Sequence, residues 1–515
     1  MKPNEIQVPR EKLVLANTEG RLHDKELVTK PISYFRDAWN RFKKNKASIG
    51  GAIVILILIL YAVFAPIISP YSVSYSDKYY TYTAPKIFNN GKRAKDLNET
   101  SFSYYYGIGV ETGANVVVDN EFERRITTNP YGKKIWMYEF KLDTYQQVGV
   151  VFLDATPKMY ADIQAYQDEH NVQIIYPITD PSKRPSAIAN DAEDANFWYE
   201  TTTLDGKTIT AGKANSEGVR EYTNIYLPYS PDRDDPYTSK MRIEGDTPLY
   251  AYGQKQQGGY KIRVNYYEYY KYYHSEVLKD GIKEPFFIFG TTNSGQDIFT
   301  CLASGARFSF ILAIVVASVN LVVGAIYGAI EGYYGGKIDI LMERFVEILS
   351  AVPFMIVVTL LKYHMKSSPQ VLILFISFFL TGWIGMAGRT RMQFYRFKNQ
   401  EYVLAARTLG ARDKRIMFKH IFPNSLGTLI TSSVLVIPGM IFSETSLSYL
   451  GIINLNTGDM TSVGTLLANA QPYLVTYPHY ILFPSIFICL LMLSFNLFGN
   501  GLRDAFNPSL RGAED

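Results

Sequence analysis

Six separate stretches of roughly twenty apolar residues decide what this 515-residue chain can fold into. A helix needs about 20 such residues to cross the hydrocarbon core of a bilayer. The stretches are "ASIGGAIVILILILYAVFAPII", "FSFILAIVVASVNLVVGAIYGAI", one centred on "VEILSAVPFMIVVTLL", "VLILFISFFLTGWIGMA", "LGTLITSSVLVIPGMIF" and "YILFPSIFICLLMLSFNLF". Glu347, Pro353 and Pro438 interrupt the third and the fifth, which are the weakest of the six. A mean hydropathy of −0.05 hides the pattern, because it averages these runs with a polar, tyrosine-rich middle. The long, basic segment before the first run shows no secretory cleavage pattern, so that run is expected to stay as a membrane anchor.

Lys and Arg set the orientation, since cytosolic loops carry their excess. Arg36, Arg41, Lys43, Lys44 and Lys46 precede the first run. Arg389, Arg391, Arg396, Lys398, Arg407, Arg412, Lys414, Arg415 and Lys419 lie between the fourth and fifth, whereas Gly451 to Pro478 holds neither residue type. An even number of spans with both termini in the cytosol satisfies all three observations. The chain then divides into a cytosolic segment (1–47), a first span (48–70), an outer region (71–285), a multi-span core (286–500) and a cytosolic tail (501–515). Within 1–47, Ile32, Phe35, Trp39 and Phe42 recur at helical spacing among Lys and Arg, which predicts an amphipathic helix on the membrane face.

The outer region is of domain size, not loop size. "VGVVFL" predicts a buried strand, Thr156 and Pro157 open a helix to about His170, and "VQIIY" predicts another strand. "TTTLDGKTIT" predicts a hairpin turning at Asp205-Gly206. The expectation is an extracellular α+β domain inserted between the first two spans of a mainly α-helical polytopic membrane protein.

Several function classes fall away. A net charge of +4 is too small to point to nucleic acid, and two isolated cysteines, Cys301 and Cys489, exclude a disulfide framework. The "GKT" at Gly206 to Thr208 lacks the phosphate-loop glycine five places earlier, where Thr201 stands. The six histidines are scattered, and neither a metal set, a catalytic triad nor paired carboxylates has a credible frame. The sequence predicts no catalytic, cofactor or metal site of its own. "YYEYYKYYH", Tyr266 to His274, suits either a ligand platform or, better, a strand returning to the membrane interface, where tyrosine is enriched.

The basic loop after the fourth span carries more than charge. "EYVLAARTLG" is helix-forming with a small face at Ala405-Ala406, and Gly410 is placed as a left-handed terminator. "RDKRIMFKHIF" restarts a helix, with Met417 and Ile421, and Phe418 and Phe422, four residues apart, and Pro423 is expected to stop it. A short helix–turn–helix of this shape fits a groove on a partner protein.

Glu401, Ala405-Ala406, Gly410, Ile421 and Pro423 resemble the EAA loop of importer-type ABC permeases, the element that docks on an ATPase subunit. "FGTTNSGQDIFTCLASGARFSF", "GYYGGKIDILMERFVEILSAVP", "ETSLSYLGI" and "FNLFGNGLRDAFNPSLRG" resemble the dipeptide and oligopeptide importers in order. "WNRFKKNKASIGGAIVILILILYAVFAPIISPYS" resembles their C-type permease subunit. The likeness covers about residues 30 to 75 and 285 to 512. Thr292, Gln296, Glu347 and Val463 stand where that family usually has Asp, Arg, Asp and Trp, and the large outer insert is a further departure.

The resemblance implies a type I ABC importer permease fold whose EAA coupling loop spans 399–424. It assigns docking to Glu401, Ala405, Ala406, Gly410, Ala411, Ile421 and Pro423, with Arg407, Arg412, Lys414 and Arg415 orienting the contact. Glu347 and Glu444 are intramembrane acids and candidates for gating or structural pairing. The implied partners are a B-type permease, two ABC ATPases that carry ATP and Mg, a lipid-anchored extracellular peptide-binding protein, peptide and membrane lipid. The expected location is the plasma membrane of a bacterium, of the Gram-positive type. Another cargo (nickel, a sugar or an opine-like solute) and a mechanical transmitter or sensor are the alternatives.

Overall fold

A computed structural model describes residues 34–86, 92–97, 105, 108–109, 112–128, 132, 134–176, 178–179, 195–196, 201–204, 207–209, 213–214, 220–221, 242–244, 247–251, 253–256, 259–455 and 461–506. The N-terminal helix α1 (Tyr34–Lys44) leads into α2 (Lys46–Ile68), whose start is capped by Asn45 accepting from the Ser48 amide at 3.2 Å. Ile32 and the tail beyond Phe506 lie outside the described residues. Part of the amphipathic face of α1 meets protein, not solvent. Ala38 and Phe42 are buried, and the Phe42 ring meets Phe498 edge-on at 5.5 Å, while Trp39 stays outside.

Between α2 and the helical core, the described strands form five small antiparallel sheets. Strands β1 (Lys92–Leu97), β2 (Val117–Thr128) and β3 (Lys134–Leu142) form one sheet in the order β1-β3-β2. Strand β4 (Val150–Ala155) is followed by α3 (Pro157–His170), as the sequence predicts, with the Thr156 hydroxyl accepting from the Met159 amide. Next come β5 (Ile175–Tyr176) and β6 (Ile178–Thr179). The predicted hairpin is β7 (Thr201–Leu204) against β8 (Lys207–Ile209), with Leu204 opposite Lys207; Asp205 and Gly206 lie outside the described residues. Five more strands follow, β9 (Lys213–Ala214), β10 (Arg220–Glu221), β11 (Arg242–Glu244), β12 (Thr247–Ala251) and β13 (Gly253–Gln256), before β14 (Gly259–Asn265). β14 pairs with β13, β4 and β5, and Ile262 and Val264 on it are buried with Tyr160, Ile163 and Ile174.

Tyr266 to His274 is helical, not a strand. Helix α4 (Tyr266–Tyr272) runs on into a π-helical turn, Tyr273–Leu278. Asn265 caps it by accepting from the Tyr267 amide at 3.1 Å, and Glu268 pairs with Lys271 one turn on. Tyr266 and Tyr270, four apart, are buried among aromatics, so tertiary packing overrides the strand preference of tyrosine.

The remaining helices are α5 (Ile298–Tyr334), α6 (Gly336–Ser350), α7 (Phe354–His364), α8 (Gln370–Phe397), α9 (Glu401–Thr408), α10 (Asp413–Tyr449), α11 (Val463–Ala470) and α12 (Pro478–Phe506). Among the described residues, five helices (α2, α5, α8, α10 and α12) are long and apolar enough to cross a membrane, and α6 with α7, bent by 72°, forms a broken span or a re-entrant loop. The bend falls at Pro353, where the third run is weakest. Pro438, by contrast, lies inside an unbroken α10. Helix α11 occupies the segment between the last two spans. Helices α5 and α8 pack closely because Gly324, Gly328 and Gly332 repeat every four residues toward α8. An added Cβ at each would collide with backbone of α8 around Trp383, Ala387 and Arg391.

Candidate functional site

Helix α9 is brief because its C-terminus is built to stop. The Gly410 amide bonds to the Arg407 carbonyl at 3.0 Å, and the Ala411 amide reaches back to Ala406 at 3.0 Å. This pair of bonds is a Schellman motif, and it places Gly410 at φ +78°. A Cβ there would meet open space, so backbone conformation alone demands glycine. The chain restarts at once as α10, where Arg412 accepts into the first turn through its carbonyl and Asp413 sits at the favourable end of the helix dipole.

Pro423 does not stop this second helix. A π-helical turn, Ile416–Ile421, precedes it, and Pro423 falls in the first turn of the α-helical stretch that follows. A π turn shifts the hydrogen-bond register by one residue, so the amide that proline lacks is lost at a helix start, where it has least use. Helix α10 therefore runs without interruption from the loop into the apolar span.

One side of this element is held fast. Val403, Ile416 and Ile421 are fully buried and Met417 nearly so, packed with Phe394, Tyr333 and Ala329. The Tyr333 hydroxyl donates to Asp413 Oδ1 at 2.6 Å, and Asn424 Nδ2 donates to the Tyr402 hydroxyl at 3.2 Å. The helix that supplies Phe394 is itself pinned by charge. Arg391 grips Asp339 with both arms of its guanidinium, Nε at 2.6 Å and a terminal nitrogen at 3.0 Å, and the Tyr395 hydroxyl donates to the same carboxylate at 2.6 Å. Glu331 and Glu343 flank Arg391 at 3.5 and 3.4 Å. A forked pair of this kind fixes direction as well as distance, and it ties α5, α6 and α8 together.

The opposite side faces out. Leu409 at the turn is 88% exposed, and Leu404 and Tyr402 are also uncovered. Arg407, Arg412, Lys414 and Arg415 are exposed around them. Of the residues singled out from the sequence, Glu401, Ala405 and Gly410 lie on this outer surface, while Ala406 and Ala411 are half-buried; Ile421 belongs to the buried anchor, and Pro423 is exposed. This side is an exposed surface, apolar at its tip and basic at its rim, on a braced support.

The two acids lie in different surroundings. Glu444 on α10 is 1% exposed and accepts from Ser309 on α5 at 2.8 Å and from Ser448 at 3.1 Å. Glu347 on α6 is half-exposed and pairs with Arg344 at 2.5 Å. They share no contact with the basic loop or with each other among the described interactions. Leu409, Val403, Tyr333, Asp413 and the Arg391–Asp339 fork escaped the sequence reading. Only Leu409 left a local trace, as a large apolar residue beside a glycine terminator.

Comparison with known proteins gives consistent matches. The family described as "Binding-protein-dependent transport system inner membrane component" matches residues 320–512, and "N-terminal TM domain of oligopeptide transport permease C" matches residues 33–85. The chain is 43% identical over 223 residues to the oligopeptide transport system permease protein OppC of Bacillus subtilis, covering 43% of this chain and 72% of that protein. It is 38% identical over 224 residues to the dipeptide transport system permease protein DppC of the same organism, covering 43% of this chain and 69% of that protein. A solved structure, the inward-facing MetNI methionine ABC transporter, is 14% identical and covers 40% of this chain and 96% of that one, with a TM-score of 0.32.

Proposed function

The chain belongs to the binding-protein-dependent transport system inner membrane component family, and on that premise we propose that it is a permease subunit of an ATP-driven ABC importer of oligopeptides or dipeptides. It lines the translocation route together with a second, B-type permease. Two ATPase subunits bind and hydrolyse ATP with Mg, and a lipid-anchored binding protein delivers peptide at the outer face of a bacterial plasma membrane. The basic end of the helix bundle faces the cytosol, in keeping with the Lys and Arg distribution.

The observation that carries this reading is the contrast between the two sides of α9. A flexible loop would absorb the motion of a closing ATPase pair. Here the helix sits on fully buried Val403, Ile416 and Ile421, while Leu409 is 88% exposed and ready to be covered. ATPase closure pushes on α9, and the continuous α10 carries the displacement into the membrane. Arg407, Arg412, Lys414 and Arg415 steer the docking through charge. Glu444 holds α5 against α10 through Ser309 during that motion, and Glu347 with Arg344 keeps the bent crossing polar on one side.

The test is Gly410→Asp. It strains the turn and places a negative charge among four cations, so peptide-stimulated ATP hydrolysis is lost while the subunit still inserts. Unchanged peptide uptake with this variant would overturn the docking role. The outer α+β region serves as a collar for the binding protein. A photocrosslinker at exposed Lys158, Asp162 or Glu169 of α3 should capture that protein, and no capture at any of the three would remove the collar.

A further inference from the structure

The tyrosine-rich helix α4 has work that importing peptide through the bundle does not explain. One of its faces is core: Tyr270 is buried, and its hydroxyl donates to that of Tyr71 at 3.3 Å. The helix also borders a cavity of about 230 Å³ between α4 and the segment that follows α2. Tyr75, Tyr79, Tyr266, Tyr269 and Tyr273 line it, Tyr270 and Lys78 border it, and Asp77 lies among them. The rings stand close together: Tyr79 and Tyr266 are 4.4 Å apart between centroids, and Tyr269 and Tyr273 are stacked at 5.8 Å.

Asp77 is the unusual member. It is only 6% exposed, yet no Lys, Arg or His pairs with it among the described ion pairs. Its Oδ1 accepts from the Tyr79 and Tyr80 amides at 2.9 and 3.2 Å, and its Oδ2 from the Tyr266 and Tyr75 hydroxyls at 2.6 and 3.4 Å. These four donors orient the carboxylate, and no cation forms an ion pair with it among the described residues, so it presents a negative charge among π faces. A buried anion walled by aromatic faces attracts a cation twice, by charge and by the ring quadrupoles. Lys78 shows the preference locally: its ammonium sits 4.7 Å from the Tyr79 centroid, on an exposed side chain. His274, also at the wall, is already engaged with Asp280 at 2.7 Å.

We propose that this cavity is a binding site for an organic ammonium group, held over Tyr79, Tyr266 and Tyr269 and facing Asp77. The sources with that chemistry are the free N-terminus of a peptide and a quaternary amine; the first rests on the peptide-importer reading, while the cage itself does not. The site also touches the membrane bundle. The Asp77 amide donates to the Gly295 carbonyl at 3.2 Å and the Ser76 hydroxyl to Ser294 at 2.5 Å, within the segment whose Asp297 caps α5. A bound cation is therefore one short turn from the start of α5.

The full chain in lipid nanodiscs is titrated with trialanine, N-acetyl-trialanine and tetramethylammonium chloride, and binding is read by saturation-transfer NMR on the ligand methyl groups. Trialanine binding with loss on acetylation assigns the site to a peptide N-terminus. Tetramethylammonium binding without trialanine binding assigns it to a quaternary amine. In either case Tyr269→Leu, which keeps bulk but removes a π face, weakens binding about fivefold. Asp77→Asn, which keeps an acceptor for the Tyr79 and Tyr80 amides, weakens it about tenfold. Tyr267→Phe, whose hydroxyl meets Glu284 away from the cavity, has no effect. Equal binding of acetylated and free trialanine, no binding of any of the three compounds, or full affinity in Tyr269→Leu overturns the proposal. None of these outcomes bears on ATPase docking, which Gly410→Asp tests separately.

Discussion

Replacing Leu409 with alanine separates docking from folding. Leu409 is 88% exposed, so the folded chain gains almost nothing from its side chain. Alanine removes three carbons, each of which contributes about 0.8 kcal/mol when moved from water into an apolar contact. With nearly all of that surface open before docking, the loss on binding an ATPase subunit is about 2 kcal/mol. That corresponds to about thirtyfold weaker association, because roughly 1.4 kcal/mol is a factor of ten. The companion variant is Ile416→Ala, at a fully buried position of the same element. It creates a cavity and costs about 2–5 kcal/mol of stability. The permease pair in nanodiscs is titrated with fluorescent ATPase subunits, and thermal unfolding is followed on the same preparations. Leu409→Ala should shift the titration and leave the unfolding temperature alone; Ile416→Ala should lower that temperature. ATPase affinity within threefold of the parent in Leu409→Ala would refute the reasoning. So would a loss of unfolding temperature equal to that of Ile416→Ala.

Asp339→Asn dissolves the fork that Arg391 makes at 2.6 and 3.0 Å. It should cost about 1–3 kcal/mol in thermal unfolding, since a charged hydrogen-bond partner is lost in a largely covered site. Glu444→Gln keeps an acceptor for Ser309 and should leave unfolding nearly unchanged. Glu444→Leu leaves that hydroxyl without its acceptor and should destabilise by about 1–3 kcal/mol in the same assay. Gly328→Val drives a side chain into the Ala387 carbonyl, so the variant should fail to yield a monodisperse permease on size exclusion. Gly410→Ala must hold φ +78° with a Cβ and should lose about 1–2 kcal/mol, whereas Gly410→Asn should lose less, read by thermal unfolding.

What was legible beforehand depended on how local its cause was. The long helices were, because bilayer thickness imposes a length on any apolar run. The Gly410 turn and the Thr156-capped helix were, because each is fixed by residues within a few positions. The tyrosine cluster was misread as a strand because its side chains bury against Tyr79 and Tyr80, far away in the chain. Pro423 was misread as a stop because the π turn that accommodates it has no signature in residue type. The Arg391–Asp339 fork joins positions 52 apart, and the exposure of Leu409 depends on everything that fails to cover it. Neither leaves a pattern in the order of residues.

The π turn at Ile416–Ile421 fixes an angle as well as a connection. One extra residue in a helix advances everything beyond it by about 100° around the axis. The turn is thus a keyed coupling: it sets the compass bearing of the α9 tip relative to the membrane face of α10. Deleting one residue there would leave both helices intact and every contact type available, yet aim Leu409 at a different quarter of the horizon. A single inserted residue thus acts as a dial, turning the exposed tip relative to the bundle without changing either one's own geometry.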